Sequence, residues 1–246
     1  YKYFEHFELE QSALTHHHFT LIVPHDFMGI PQGHNLNEAR HLTGKRLTAD
    51  FSYNGISDSP MRSFKGIITT LGYLRNDANH YGKIVIKGYS PTILLDAAVH
   101  CQSFGGERPT RLAPVVQEVI QDGIDSNSHL CKIRIEPSYT GDISYICQSS
   151  ETHYNFLART AAAYGEQFFY DGVTIHFGKL PPPEKAINMT VDQDILDSKI
   201  NIKLAHVKRQ MYGYNSMRHE QLSASETKLD HHQSWLARDA YETSKK

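Results

Sequence analysis

Apolar and polar positions alternate along most of this chain, and the alternation predicts short strands. Phe4, Phe7 and Leu9 open a first irregular strand. Residues 19–23 form a compact apolar run closed by Pro24, the mark of a buried strand. Residues 64–71 predict another, running on through 73–75 to a polar turn at 76–79 and back along 83–87 as a hairpin. Three helices interrupt the strands. Ser90 and Pro91 start the first, over 92–97: serine caps, and proline at the first helical position loses no hydrogen bond. From about 114 to 121 a second helix places Leu112, Val115, Val116, Val119 and Ile120 on one face, with Gly123 to end it. Residues 132–136 alternate as a strand with one wet face. A third helix covers about 151–164, with Tyr154, Leu157, Ala161 and Tyr164 recurring at spacings of three and four; Glu151 favours its start through the helix dipole, and Gly165 ends it. Two strands, 168–170 and 173–177, then flank Asp171 and Gly172 as a two-residue hairpin turn.

Pro181, Pro182 and Pro183 form a stiff, extended connector. Beyond it Ile200, Ile202 and Leu204 alternate with Asn201, Lys203 and Ala205, and the pattern runs through Val207 to fade near Tyr214. Many short strands with a few helices between them predict a mainly β fold with short helical insertions, built as β-barrels. The expected organisation is a first β-barrel domain over residues 1–89, completed by 190–222; a second, helix-bearing barrel domain over 90–189; and a polar, partly ordered extension over 223–246, apolar only around Trp235, Leu236 and Tyr241.

Composition narrows the classes. At 246 residues the chain buries enough surface to fold without a metal or disulfide. A net charge of −2 argues against a general nucleic-acid binder. No run approaches the ~18 apolar residues of a membrane helix, and the start at Tyr1 has no signal-peptide layout and no initiator Met, which reads as a fragment or a mature product. The aromatic content, 14 Tyr and 11 Phe, suits pleated faces. Cys101, Cys131 and Cys147 are odd in number and lack C-x-x-C spacing, so they read as reduced, mostly buried thiols of a cytoplasmic protein.

Nothing in the pattern commits to chemistry. His16, His17 and His18 precede a strand, where His16 and His18 share a face, but no acidic or Cys partner stands at ligand spacing; His231 and His232 read the same way. Neither H-E-x-x-H, G-x-S-x-G nor G-x-x-x-x-G-K-[ST] occurs. His100 and Cys101 are adjacent and point to opposite faces of a strand, so they make no dyad. Gly105 and Gly106 read as a loop turn needing positive φ. The pairs Asp122 with Asp125 and Asp192 with Asp194 read as charged loop residues. We therefore single out no catalytic, cofactor-binding or metal-ligating residue, and no cofactor.

Two segments resemble one family in order and spacing. Residues 87–96, KGYSPTILLD, resemble the G-[YF]-S-P-T-x-L-L-D segment of VgrG-type spike proteins, and residues 148–172, QSSETHYNFLARTAAAYGEQFFYDG, resemble a longer block of the same family. Between them Leu112, Ala113, Pro114, Val115 and Val116 resemble its S-V-P-x-I-[IV] run. The likeness covers roughly residues 64–178, with weaker similarity at 19–21 and 211–214. It implies the hub of a type VI secretion spike or contractile phage tail: two similar antiparallel β-barrels per chain, three chains in a ring of near six-fold symmetry, docked on a hexameric Hcp-like tube. It implies self-association as a homotrimer, contact with baseplate components, effectors or adaptors carried through other parts, assembly in the cytoplasm followed by injection into a target cell, and a structural rather than enzymatic role. The chain departs from the family after about residue 220, where neither the neck nor the needle repeat follows, so puncturing is expected of sequence outside it. The rivals are a phage baseplate hub, a wall-degrading hydrolase and, on the aromatics alone, a carbohydrate-binding β-protein.

Overall fold

Strand pairing turns the alternation into sheets. A computed structural model describes residues 3–24, 40–52, 61–74, 82–124, 129–180, 190, 199 and 210–225. The chain divides into two compact units, Tyr1–Pro182 and Pro183–Lys246. In the first unit, β1 (His6–Glu10), β2 (His18–Pro24), β3 (Arg46–Phe51), β4 (Arg62–Leu74) and β5 (Lys83–Tyr89) build an antiparallel five-stranded sheet in the order β1-β2-β5-β4-β3. Residues 19–23 are thus central, as their apolar run requires, and Phe19 and Val23 are fully buried. β4 and β5 pair as the expected hairpin arms; the turn at 76–79 lies outside the described residues.

Phe19 faces Gly88 across the β2–β5 pair. A side chain at Gly88 would put its Cβ 2.0 Å from the Ile67 carbonyl and 2.6 Å from the Phe19 ring, so only glycine lets the ring lie flat here. Phe19 meets Phe64 edge-on with centroids 5.9 Å apart.

The short helix expected after β5 is a 3-10 turn, Pro91–Asp96. Ser90 does not cap it; its hydroxyl accepts from the His17 backbone N–H at 3.1 Å and so fastens the turn to the sheet. β6 (Val99–Thr110) and β8 (Ile143–Thr152) then pair as an antiparallel ladder. Of these, strand was expected only at His100 and Cys101, and Gly105 and Gly106, at φ of +87° and +101°, sit within β6 beside its irregular pairing rather than in a loop.

Helix α1 (Leu112–Gly123) buries the same five residues its pattern predicted, Leu112, Val115, Val116, Val119 and Ile120. Gly123 does not end it in a left-handed turn. It is the last helical residue, and its missing Cβ makes room for Leu95 and His153, whose nearest atoms would lie 2.7 and 3.2 Å away. Helix α2 (His153–Tyr164) begins later than expected because β8 runs through Thr152, whose hydroxyl caps the helix by accepting from Asn155 N at 3.2 Å. Glu151 is therefore not a dipole partner; it pairs with Arg159 at 2.6 Å. The buried stripe of α2 is His153, Phe156, Leu157, Thr160 and Ala161, rotated from the expected one, with Tyr154 only partly buried. Gly165 stops the helix at φ 71°, a conformation costly to any residue with a Cβ.

Strands β7 (Lys132–Glu136), β9 (Gln167–Tyr170) and β10 (Thr174–Gly178) form a second sheet, β7-β10-β9, in which β7 and β10 run parallel. The β9–β10 reversal centres one residue later than expected, on Gly172 and Val173, since Asp171 N donates to Thr174 O at 3.1 Å. One apolar core joins Phe19, Phe64 and Ile84 of the first sheet to α1, α2, Ile175 and Phe177. Tyr170, Lys65 and Gly172 clamp the two sheets together: Lys65 N donates to Gly172 O at 2.7 Å, and the Tyr170 hydroxyl lies 2.6 Å from Gly172 O and 2.9 Å from Lys65 O.

In the second unit β11 (Gln210–Asn215) and β12 (Glu220–Ser225) form an antiparallel hairpin. The expected strand at 200–205, the connector at 181–183 and the tail beyond 225 lie outside the described residues. The architecture is mainly β. Among the described residues the five-stranded sheet is open, with β1 and β3 as its edges. No described helix is long and apolar enough to cross a membrane.

Candidate functional site

Three polar constellations gather titratable groups, and each is set by a different part of the fold. The first involves the histidine run. His16 Nδ1 lies 2.9 Å from the Thr92 hydroxyl and its Nε2 lies 3.4 Å from Asp96, an order of hydroxyl, imidazole and carboxylate that resembles a hydrolytic triad. Thr92, however, is 3% exposed and its oxygen also lies 2.7 Å from Ser90 Oγ, so this hydroxyl faces the protein interior. The three groups tie the segment leading into β2 to the 3-10 turn. Burial holds His16 below the usual histidine range, with Asp96 opposing the shift. His17 is buried, 5.4 Å from the Tyr170 ring, and is likewise lowered by burial. His18 is exposed and pairs with Glu10 at 3.2 Å. The acidic partners missing from the local sequence thus come from elsewhere, one for each of His16 and His18, and the two histidines are not drawn to a common ligand.

The second constellation closes the β9–β10 turn. Asp171 accepts from Val173 N at 2.8 Å, Thr174 N at 2.7 Å and His176 Nε2 at 2.7 Å. Burial alone would raise this carboxyl, but the hydrogen bonds outweigh it and hold Asp171 below the usual carboxylate range.

The third brings together His100 of β6, Asp122 of α1 and His153 of α2. His153 Nε2 lies 2.9 Å and His100 Nδ1 3.9 Å from Asp122 Oδ2. The two imidazoles stack with centroids 3.8 Å apart at 20°. Burial lowers His153, His100 lowers it further, and Asp122 opposes both. Sequence reading passed over this cluster, because its members stand far apart along the chain and belong to three elements. The signal available was the pairing of a His with a helix-start position and an Asp at a helix end, which is too common to choose them.

The remaining sequence candidates separate. Cys101 is exposed, which corrects the expectation of buried thiols; Cys131 and Cys147 are half-buried. Cys101 takes its hydrogen bonds from Ser150, N–H at 3.3 Å and hydroxyl at 3.6 Å, which lower its thiol, whereas burial pushes Cys131 up to about 11. Asp125, Asp192, Asp194, His231 and His232 lie outside the described residues.

The β11–β12 hairpin carries exposed apolar side chains on both faces. Met211, Gly213, Leu222 and Ala224 share one face and Tyr212 and Tyr214 the other, and Met211, Tyr212, Tyr214 and Leu222 are all at least half exposed.

No family model matches the chain, and no curated protein matches it. Solved structures do. An Escherichia coli component of the type VI secretion system, itself described as structurally similar to the T4 bacteriophage tail proteins gp27 and gp5, superposes with a TM-score of 0.50 at 12% identity over 86% of this chain and 52% of its own. A 43 kDa prophage tail protein from Shewanella oneidensis gives a TM-score of 0.49 at 12% identity, covering 89% of this chain and 63% of its own. A tail protein from Neisseria meningitidis gives 0.48 at 12% identity, covering 97% and 69%. The chain spans about half the length of the E. coli protein. In fold, the chain is similar to this type VI secretion component.

Proposed function

We propose that this chain is the structural hub of a contractile injection machine, the base of a type VI secretion spike, joining a trimeric puncturing spike to the hexameric inner tube and helping to deliver effectors. The observation that supports it best is the fold likeness to the E. coli type VI secretion component over 86% of the chain. The two VgrG-like segments add to it: residues 87–96 supply Gly88 and the 3-10 turn, and residues 148–172 supply α2, its Gly165 stop and the Tyr170 clamp, all parts that hold the two sheets together.

In this reading the five-stranded sheet is one wall of the first of two similar barrels, and the β6–β8 ladder with the three-stranded sheet belongs to the second. Three copies form a ring, which meets an Hcp-like tube on one face and the spike and baseplate on the other; effectors or adaptors attach through other parts of the machine. Nucleic acid is not a partner. Assembly takes place in the cytoplasm, and delivery carries the hub into the target cell. The role is mechanical: a stiff double-sheet core transmits force and performs no turnover. The description of the E. coli protein as similar to T4 tail proteins favours one second reading, a phage baseplate hub.

The test is co-expression with a hexameric tube protein followed by electron microscopy. A three-fold ring stacked on a six-fold one is expected. Failure to associate with any tube protein, or turnover of peptidoglycan that a carboxylate substitution abolishes, overturns the proposal.

A further inference from the structure

We infer that His100, Asp122 and His153 form a binding site for a borderline divalent transition-metal ion such as Zn2+, which staples β6 and the end of α1 to the start of α2. Among the described residues this is the one group of His, Cys or acidic side chains whose ligand atoms converge, all lying within 4.8 Å of one another. Two imidazole nitrogens and a carboxylate are the donor set that such ions favour.

The distances to Asp122 are close to what an ion requires, and one ring must reorient. Bonds of about 2.0–2.1 Å place neighbouring tetrahedral ligands roughly 3.3 Å apart. The Asp122–His153 separation of 2.9 Å is a little short of that and the Asp122–His100 separation of 3.9 Å a little long. Imidazole lone pairs lie in the ring plane, so two stacked rings cannot both aim at one ion. His100 must turn out of the stack. It is the ring free to do so, with its side chain 34% exposed against 2% for His153. Asp122 is 56% exposed, which leaves solvent access for the ion and for a water in the fourth position.

His153 is already held as a ligand needs to be. Gly123 lets the end of α1 come up against it. Behind it stands Gln148, 1% exposed, whose amide is fixed by donating to Glu151 O at 2.8 Å and accepting from Gln102 Nε2 at 2.8 Å. Both amide atoms face His153 Nδ1, Nε2 at 3.2 Å and Oε1 at 3.3 Å. Without an ion, His153 Nε2–H donates to Asp122 and Nδ1 accepts from Gln148 Nε2. With the ion, Nε2 carries the metal, and the ring proton sits on Nδ1, where Gln148 Oε1 accepts it. Gln148 therefore satisfies either tautomer, the outer partner that orients a metal-bound histidine.

The whole chain, stripped with a chelator and dialysed, is titrated with Zn2+ by calorimetry and melted with and without it. One ion per chain and a Zn2+-dependent rise in melting temperature are expected. His100→Ala and Asp122→Asn, both on the exposed side and each checked for an unchanged circular dichroism spectrum, should weaken binding at least about ten-fold and remove that rise. Cys101→Ser and the double variant His231→Ala with His232→Ala should bind as the wild type does. Absence of binding to the wild type, affinity unchanged by either His100→Ala or Asp122→Asn, or loss of binding in either control variant overturns the assignment.

Discussion

Tyr170 offers the sharpest stability test of how the two sheets of the first unit are joined. Its ring packs edge-on to Phe64 with centroids 6.4 Å apart, it is 5% exposed, and its hydroxyl reaches the carbonyls of Gly172 and Lys65. Tyr170→Phe removes that hydroxyl and keeps the ring. A single O–H proton is shared between the two acceptors as a three-centred bond, so their strengths do not add. Gly172 O keeps the Lys65 N–H as a partner, while Lys65 O loses the hydroxyl. The expected cost is about 1–2 kcal/mol, one buried hydrogen bond with part of a desolvation penalty. For a chain of this size that is a fall of roughly 2–8 °C in melting temperature. Tyr170→Ala should cost about 3–5 kcal/mol, since it also opens a cavity. The assay is urea unfolding followed by far-ultraviolet circular dichroism, with the slope unchanged for Tyr170→Phe. Stability of Tyr170→Phe within about 0.3 kcal/mol of the wild type, well under the worth of one buried hydrogen bond, refutes the clamp.

Gly88→Ala drives a Cβ into the Ile67 carbonyl, which as backbone cannot turn aside, and should cost about 3 kcal/mol or more in the same assay; a loss below about 1 kcal/mol means the Phe19 seat is looser than described. Burial lowers His16, His17 and His153, so the unfolded chain binds more protons than the folded one as pH falls. Stability is therefore full above about pH 6.5 and declines below it, with melting temperature falling between about pH 6.5 and about pH 5; a flat profile, or one that rises as pH falls, contradicts that sign. The depressed Asp171 carboxyl contributes stability above the ordinary aspartate range that is lost as pH falls below it, so Asp171→Asn should lower stability at neutral pH and flatten the most acidic part of the curve. Met211→Ser with Leu222→Ser should leave the unfolding midpoint within about 0.5 kcal/mol of wild type, because both side chains already face solvent; a larger loss shows that the hairpin is covered within the chain itself.

Local pattern was enough wherever one face of an element meets the core. The five apolar residues of α1, the central run of β2 and the Gly165 stop were all readable because burial and left-handed backbone impose residue types at fixed spacing. β6 was not readable beyond His100 and Cys101: of its 12 residues only Phe104 is buried, and Gly105, Gly106 and Pro109 interrupt any period. Its strand conformation comes from pairing with β8, a long-range partner that no local window contains. Glu151 misled for the same reason, since the helix start moved when β8 ran on to Thr152. The polar cluster of His100, Asp122 and His153 was hidden altogether, because convergence of three elements is a property of the fold and not of spacing.

The strand order β1-β2-β5-β4-β3 also dictates how this sheet can be made. The β1–β2 hairpin and the β3–β4–β5 meander each close through neighbours in the chain and can form early. Their seam is β2 against β5, where Phe19 must find Gly88 across a long stretch of intervening chain. Loop-closure entropy must be met at that step before its contacts reward it, so seam formation should set the folding rate. The ring that needs glycine opposite it is then the last piece of the sheet to lock, and a chain caught before that moment would present two unmatched strand edges to its neighbours.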